Sequence, residues 1–116
     1  VNPKSRRRAS KKQEIKLAEA VGGRVQPGSG CVPGCKGDFR VPGRLLGEAK
    51  YTTKKSYSIK LHDLLKLKAE CQGLEQPVLA LEFKDDSLRT LAKYVIIPQV
   101  YWEELIEEKD GEADED

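Results

Sequence analysis

The chain has 116 residues, of which 38% are apolar and 34% charged, so it has material for one small domain and a single core. No run approaches the ~18 apolar residues of a membrane span, and no charged-then-apolar leader is present, which predicts a soluble, cytoplasmic protein with no membrane partner. The net charge of +2 conceals an asymmetry: residues 1–102 hold 20 Lys and Arg against 10 Asp and Glu, whereas residues 103–116 hold 1 against 9. A basic body predicts a polyanionic partner, nucleic acid first, because Lys and Arg that neutralise phosphates release counterions.

Residues 1–8 read as a basic flexible arm, residues 9–108 as the folded domain and residues 109–116 as an acidic disordered tail. Arg6, Arg7, Arg8, Lys11 and Lys12 make the arm and the start of the domain a candidate phosphate-tracking extension. A helix is predicted from Ala9 or Ser10 to Val21, with Ser10 as its cap, Ile15, Leu17, Ala18 and Val21 on its apolar face, and Gly22-Gly23 as its end. Glu14 and Glu19 point in different directions on this helix, and either is an ordinary surface acid or a carboxylate facing the next elements.

Arg24-Val25-Gln26 reads as a short strand. A loop with glycines at 28, 30, 34 and 37 and prolines at 27 and 33 follows, and its Gly-Ser-Gly tip would let backbone N–H groups and the Ser29 hydroxyl approach a phosphate. Lys36 adds a cation at the end of this loop. Cysteines 31, 35 and 71 are an odd set with no second Cys pair, and with His62 as the sole histidine, free thiols in a reducing compartment are preferred over structural zinc.

The stretch from Gly37 to Tyr51 predicts a β-hairpin turning at Pro42-Gly43. Period-two alternation puts Glu48 and Lys50 on one face, and pairing across the turn brings Asp38 opposite Glu48 to within one residue. Gly47 is expected where backbone must approach a ligand or form a bulge. Two carboxylates on adjacent strands can hold Mg²⁺ and leave sites for water and phosphate; a neighbouring lysine can orient a nucleophile or stabilise the transition state. Asp38 and Glu48 are therefore the candidate metal ligands and Lys50 the candidate catalytic lysine, for phosphodiester hydrolysis. A second E-x-K, Glu82-Phe83-Lys84, is set aside because no aspartate precedes it at comparable spacing. A solvated salt bridge on a strand is the competing reading of either pair.

Thr52, Lys54, Lys55 and Ser56 form a polar, basic stretch suited to phosphate contact, with Tyr57 able to stack or pack. A helix is predicted from a Ser58 cap to about Gln72, a largely apolar central strand over Pro77–Phe83, a turn at Lys84-Asp85-Asp86-Ser87, a strand from Leu91 to Pro98 and a helix from Gln99 to Glu108. The order α-β-β-β-α-β-β-α predicts an α/β domain with a central mixed sheet flanked by helices.

Glu14, Pro27-Gly28-Ser29-Gly30, Lys36-Gly37-Asp38, Gly47-Glu48-Ala49-Lys50 and the following Ser/Thr/Lys stretch with its helix together resemble the PD-(D/E)XK nuclease superfamily, over roughly residues 8 to 98. Within it they are most similar to the small Holliday junction resolvases of archaeal type and their bacteriophage relatives. The resemblance implies a restriction-endonuclease-like core, Asp38 and Glu48 as ligands of Mg²⁺ (with Mn²⁺ as a substitute), Glu14 as an additional catalytic and metal-binding acid, and Ser29 as a serine near the scissile phosphate. It further implies a homodimer that cuts four-way DNA junctions in recombination and repair, in host cytoplasm if the source is a phage. Two features depart from the pattern: the motif aspartate follows Gly37 instead of proline, and the chain ends in a run of acids. The competing functions are a general phage or repair nuclease acting on branched DNA or ends, and a non-catalytic DNA-binding module, to which 6% aromatic content offers few stacking platforms.

Overall fold

Asn2 begins the first helix: its side chain accepts a hydrogen bond from the Ser5 N–H at 2.9 Å, and Pro3 occupies the first turn, where a missing N–H costs nothing. The computed structural model describes residues 2–26 and 38–114. Helix α1 therefore spans Pro3–Val21, starting well before the expected Ser10 cap, and the arm expected at residues 1–8 is helical from Pro3. The Arg and Lys that suggested an unstructured arm are also good helix formers, and with an Asn-Pro start they continue the helix outward. Gly22, at φ 70°, ends α1 as expected, its N–H reaching back to the Ala18 and Glu19 carbonyls.

The remaining elements are β1 (Arg24–Val25), β2 (Phe39–Val41), β3 (Leu45–Thr52), α2 (Leu61–Glu70), β4 (Gln76–Lys84), β5 (Thr90–Ile96) and α3 (Gln99–Asp114). The strands form one mixed sheet in the order β1-β2-β3-β4-β5, with only β3 and β4 parallel. The crossover through α2 supplies that parallel pair. The turn between β2 and β3 has the chemistry of type II, with Pro42 followed by Gly43 at φ 77° and the Arg44 N–H donating to the Val41 carbonyl at 2.9 Å.

The sheet buries both faces around β3 and β4. On one face Phe39, Leu45, Val78 and Ala80 pack with Ala18 of α1, joined at the margin by Leu17, Val25, Val41, Ile97 and Tyr101. On the other, Leu46, Leu79 and Leu81 are covered from the side of α2, whose Leu67 is its buried residue. Phe39 pairs with Gly47, and its ring occupies the space of a Gly47 side chain: a Cβ there would lie 2.0 Å from the ring. Gly47 is thus required by an aromatic contact, instead of the ligand approach or bulge expected for it.

Several boundaries differ from expectation. Helix α2 starts at Leu61 after an extended Lys60 that makes no side-chain cap, leaving Ser58 outside the helix, and it ends at Glu70 with the Cys71 N–H bonded to the Lys68 carbonyl, ahead of Gly73. Leu61 and Leu65 remain exposed. Helix α3 continues past Glu108 to Asp114, so this part of the expected disordered tail is helical, as a proline-free run rich in Glu permits. Among the described residues, no helix is long and apolar enough to cross a membrane.

Gly-to-Ala changes in strands ordinarily gain stability from lower chain entropy in the unfolded state. Gly47→Ala is expected instead to lose about 1–3 kcal/mol through overpacking against Phe39, read as a lower urea midpoint; Gly47→Ala with Phe39→Leu should recover part of the loss. A Gly47→Ala protein as stable as the parent would rule out the packing described.

Candidate catalytic site

Asp38 extends the β2–β3 ladder by one step. Its N–H donates to the Gly47 carbonyl at 2.8 Å, its carbonyl accepts from the Gln26 N–H at 2.9 Å, and its Oδ2 accepts from the Ala49 N–H at 2.8 Å. The carboxylate therefore takes over where the main-chain ladder of β2 ends, which holds it beside Glu48. Since Phe39 and Gly47 share the α1 face, alternation places Asp38, Glu48 and Lys50 together on the opposite face. The expected Asp38–Glu48 juxtaposition follows directly from this register.

Lys50 Nζ lies 3.4 Å from Glu48 Oε1, with the two side chains 46% and 30% exposed. Partial burial pulls the Lys50 pKa down, but the charge and hydrogen bond of Glu48 outweigh it, with smaller contributions from Tyr57 and Asp38, and the net direction is up from the ordinary 10.5. Lys50 is thus a firm cation at neutral pH. Tyr57, half-buried, belongs to this surround of Lys50, a more specific place than the stacking or packing expected of it.

Gln13 was not among the expected site residues. It is buried on α1, and its Nε2 donates to the Lys50 carbonyl at 2.8 Å, so α1 grips β3 at the lysine itself. A usable signal was present: Gln13 lies four residues before Leu17, on the stripe that packs on the sheet. The adjacent Glu14 is half-buried on α1. Among the described residues no three His, Cys, Asp or Glu side chains group closely enough to hold a metal, so Glu14 does not complete a three-carboxylate cluster with Asp38 and Glu48. Two adjacent carboxylates nonetheless fit Mg²⁺, which commonly takes one or two from protein and fills its remaining positions with water and phosphate oxygens.

Of the expected phosphate contacts, Arg6, Arg7, Arg8, Lys11 and Lys12 are exposed along α1. Thr52 closes β3, where its hydroxyl accepts from the Lys54 N–H at 3.1 Å; Lys54, Lys55 and Ser56 are exposed just beyond. The Tyr51 hydroxyl donates to the Arg6 carbonyl at 3.2 Å, so the start of α1 and the end of β3 share one end of the molecule. Ser29, Lys36, Cys31 and Cys35 lie outside the described residues. The other E-x-K has a different setting. Glu82 and Lys84 also approach to 3.4 Å, but at 8–9% exposure, with the Thr90 hydroxyl donating to Glu82 and Lys84 5.3 Å above the Tyr51 ring.

Because its pKa is raised on folding, Lys50 contributes stability that is fully present below 10.5 and lost as pH rises through the folded value. Glu48→Gln leaves burial opposed only by the weaker partners, so the Lys50 pKa should fall, as followed by NMR titration of its side chain; an unchanged titration would mean that Glu48 does not hold the ammonium. No family model, curated protein or solved structure matches this chain.

Proposed function

We propose that this chain is a Mg²⁺-dependent, structure-selective DNA endonuclease, acting as a homodimer on four-way junctions. The observation that carries the reading is the convergence of Asp38, Glu48 and Lys50 on one partly exposed face, at the end of the sheet where basic residues of α1 and of the segment after β3 also gather.

When bound, Mg²⁺ would neutralise charge on the scissile phosphate and acidify a water molecule. Asp38 and Glu48 are the residues that would hold it. Asp38 is pre-positioned by the Ala49 N–H, which holds its Oδ2 in place before binding. Lys50 remains protonated at neutral pH and donates hydrogen bonds toward the attacking water or a non-bridging phosphate oxygen. Gln13 fixes the backbone from which Lys50 extends. Lys54, Lys55, Ser56 and the α1 cations supply phosphate contacts that position the duplex arms. A two-fold dimer would use the open edge of β5 and the start of α3, where Tyr94, Val95 and Trp102 are exposed, while Ile97 and Tyr101 of the same segment pack within the chain.

A second reading, a DNA-binding module without chemistry, is favoured by the Glu48–Lys50 ion pair, in which the carboxylate is already matched by a cation. Cleavage separates the two. With a labelled four-way junction beside duplex, flap and single-stranded controls, the expected result is paired symmetric nicks on the junction in Mg²⁺ and none in EDTA. Glu48→Ala, Asp38→Asn and Lys50→Ala should each lower the rate by at least about a hundredfold, the scale of losing a charged group that acts on the transition state, while junction binding persists. Binding without cutting by the parent protein would leave the binding module, and cutting of every substrate would replace the junction assignment with a general nuclease.

A further inference from the structure

On the opposite face of the sheet from Glu48 and Lys50, a cavity of about 400 Å³ opens between α1 and the β4–β5 hairpin. Six cations line it: Arg8, Lys12 and Lys16 from α1, and Lys84, Arg89 and Lys93 from β4, the turn and β5. The α1 residues are spaced by four, so they form one stripe about 12 Å long at 1.5 Å per residue. Like charges at that spacing destabilise a helix, and an anion between them relieves the repulsion. One carboxylate, Glu82, faces all six, and it is already engaged by Lys84 and Thr90. Arg89 is held by Asp85 at 3.2 Å, whereas Lys12, Lys16 and Lys93 are exposed residues of the cavity lining.

The cavity has two further properties. A second hollow, about 280 Å³, shares Gln13, Lys16, Glu82 and Lys93 with it and runs on toward Leu17, Ala20 and Ala80. The combined groove is thus cationic at one end and apolar at the other. Tyr51, one residue beyond Lys50, adjoins the cavity through Lys84, which lies over its ring, and its hydroxyl donates to the Arg6 carbonyl of α1. A strand crossing the end of β3 would reach both the groove and the carboxylate patch. The length of the stripe exceeds a single phosphate, and an apolar continuation suits a nucleobase.

We propose that the groove between α1 and β4–β5 binds the sugar-phosphate backbone of a nucleic-acid strand, with Lys12, Lys16 and Lys93 as its phosphate contacts. The Glu82-Phe83-Lys84 repeat of the E-x-K pattern then forms the buried floor of a binding groove instead of a second cleavage centre. The inference rests on the nucleic-acid part of the proposed function and is independent of catalysis.

The test is binding of a labelled four-way DNA junction by the full chain in EDTA, followed by anisotropy between 50 and 200 mM salt, for the parent, for Lys12→Gln/Lys16→Gln/Lys93→Gln, and for a charge-matched control on α2 and its cap, Lys60→Gln/Lys66→Gln/Lys68→Gln. Each lost contact should reduce the slope of log K against log salt by about 0.9, so the groove variant is expected to lose roughly two to three from the slope and at least tenfold in affinity at 100 mM salt, with an unchanged circular dichroism spectrum. The α2 control should keep the parent slope. Equal losses in both triple variants, or no loss in the groove variant, would overturn the proposal. Inorganic phosphate or a nucleoside triphosphate binding the parent and not the groove variant, with junction binding unchanged, would make the groove a small-ligand site and overturn it also. Because no metal is present, a parent protein that fails to cut junctions under Mg²⁺ removes the nuclease reading and leaves this comparison intact.

Discussion

The contact between Phe39 and Gly47 is the constraint from which the rest of the site follows. The tip of the ring, its Cζ and Cε atoms, lies against β3 where any other residue would place a Cβ, and at 1% exposure it is one of the two most fully enclosed large side chains among the described residues. A strand as short as β2 has few main-chain hydrogen bonds to define its register. The ring does so instead, because a slip of one residue would drive it into a side chain and expose it to water. With Phe39 opposite Gly47, Asp38 has one available position, beside Glu48, and its carboxylate completes the ladder through the Ala49 N–H.

β2 is held from its other face by a buried ion pair. Arg40 Nε and Glu75 Oε2 are 2.9 Å apart with both side chains nearly inaccessible, and Glu75 Oε1 accepts from the Gln72 N–H, tying the strand to the turn that follows α2. The approach is close but poorly aligned: Arg40 Nε and Nη2 have no in-line hydrogen-bond partner among the described residues. Such a pair contributes more to selecting one arrangement than to net stability, since both charges are desolvated. Burial pushes the nearby Cys71 thiol up, the Glu75 charge adds to the effect and Arg40 partly opposes it, so this cysteine is a poor nucleophile at neutral pH.

The two E-x-K pairs show how little a spacing means without its surroundings. Both place a carboxylate and an ammonium on one strand face with the same 3.4 Å separation. Glu48 and Lys50 lie near the short end of β2, where the sheet opens to solvent and a second carboxylate joins from the neighbouring strand. Glu82 and Lys84 lie on β4 between two long strands, beneath α1, where their charges are matched to each other and to Thr90. The first pair can meet an incoming phosphate and its counterion. The second is committed to the interior, and what faces outward there is the surplus of lysine and arginine around it.

The amino-acid sequence by itself determined the β-hairpin, its turn at Pro42-Gly43, the proximity of Asp38 to Glu48, the end of α1 at Gly22 and the apolar character of β4. These depend on local causes: a proline and a positive-φ glycine, period-two alternation, a left-handed helix cap. Tertiary structure alone decided the rest. The start of α1 and the length of α3 turned on whether charged but helix-favouring residues continue an established helix, which composition leaves open between solvated coil and helix. The role of Gly47 depended on an aromatic ring eight residues away in sequence, that of Gln13 on which carbonyl of β3 crosses α1, and the contrast between Glu48 and Glu82 on burial. Each of these is a relation between elements distant along the chain, and only packing brings its two halves together.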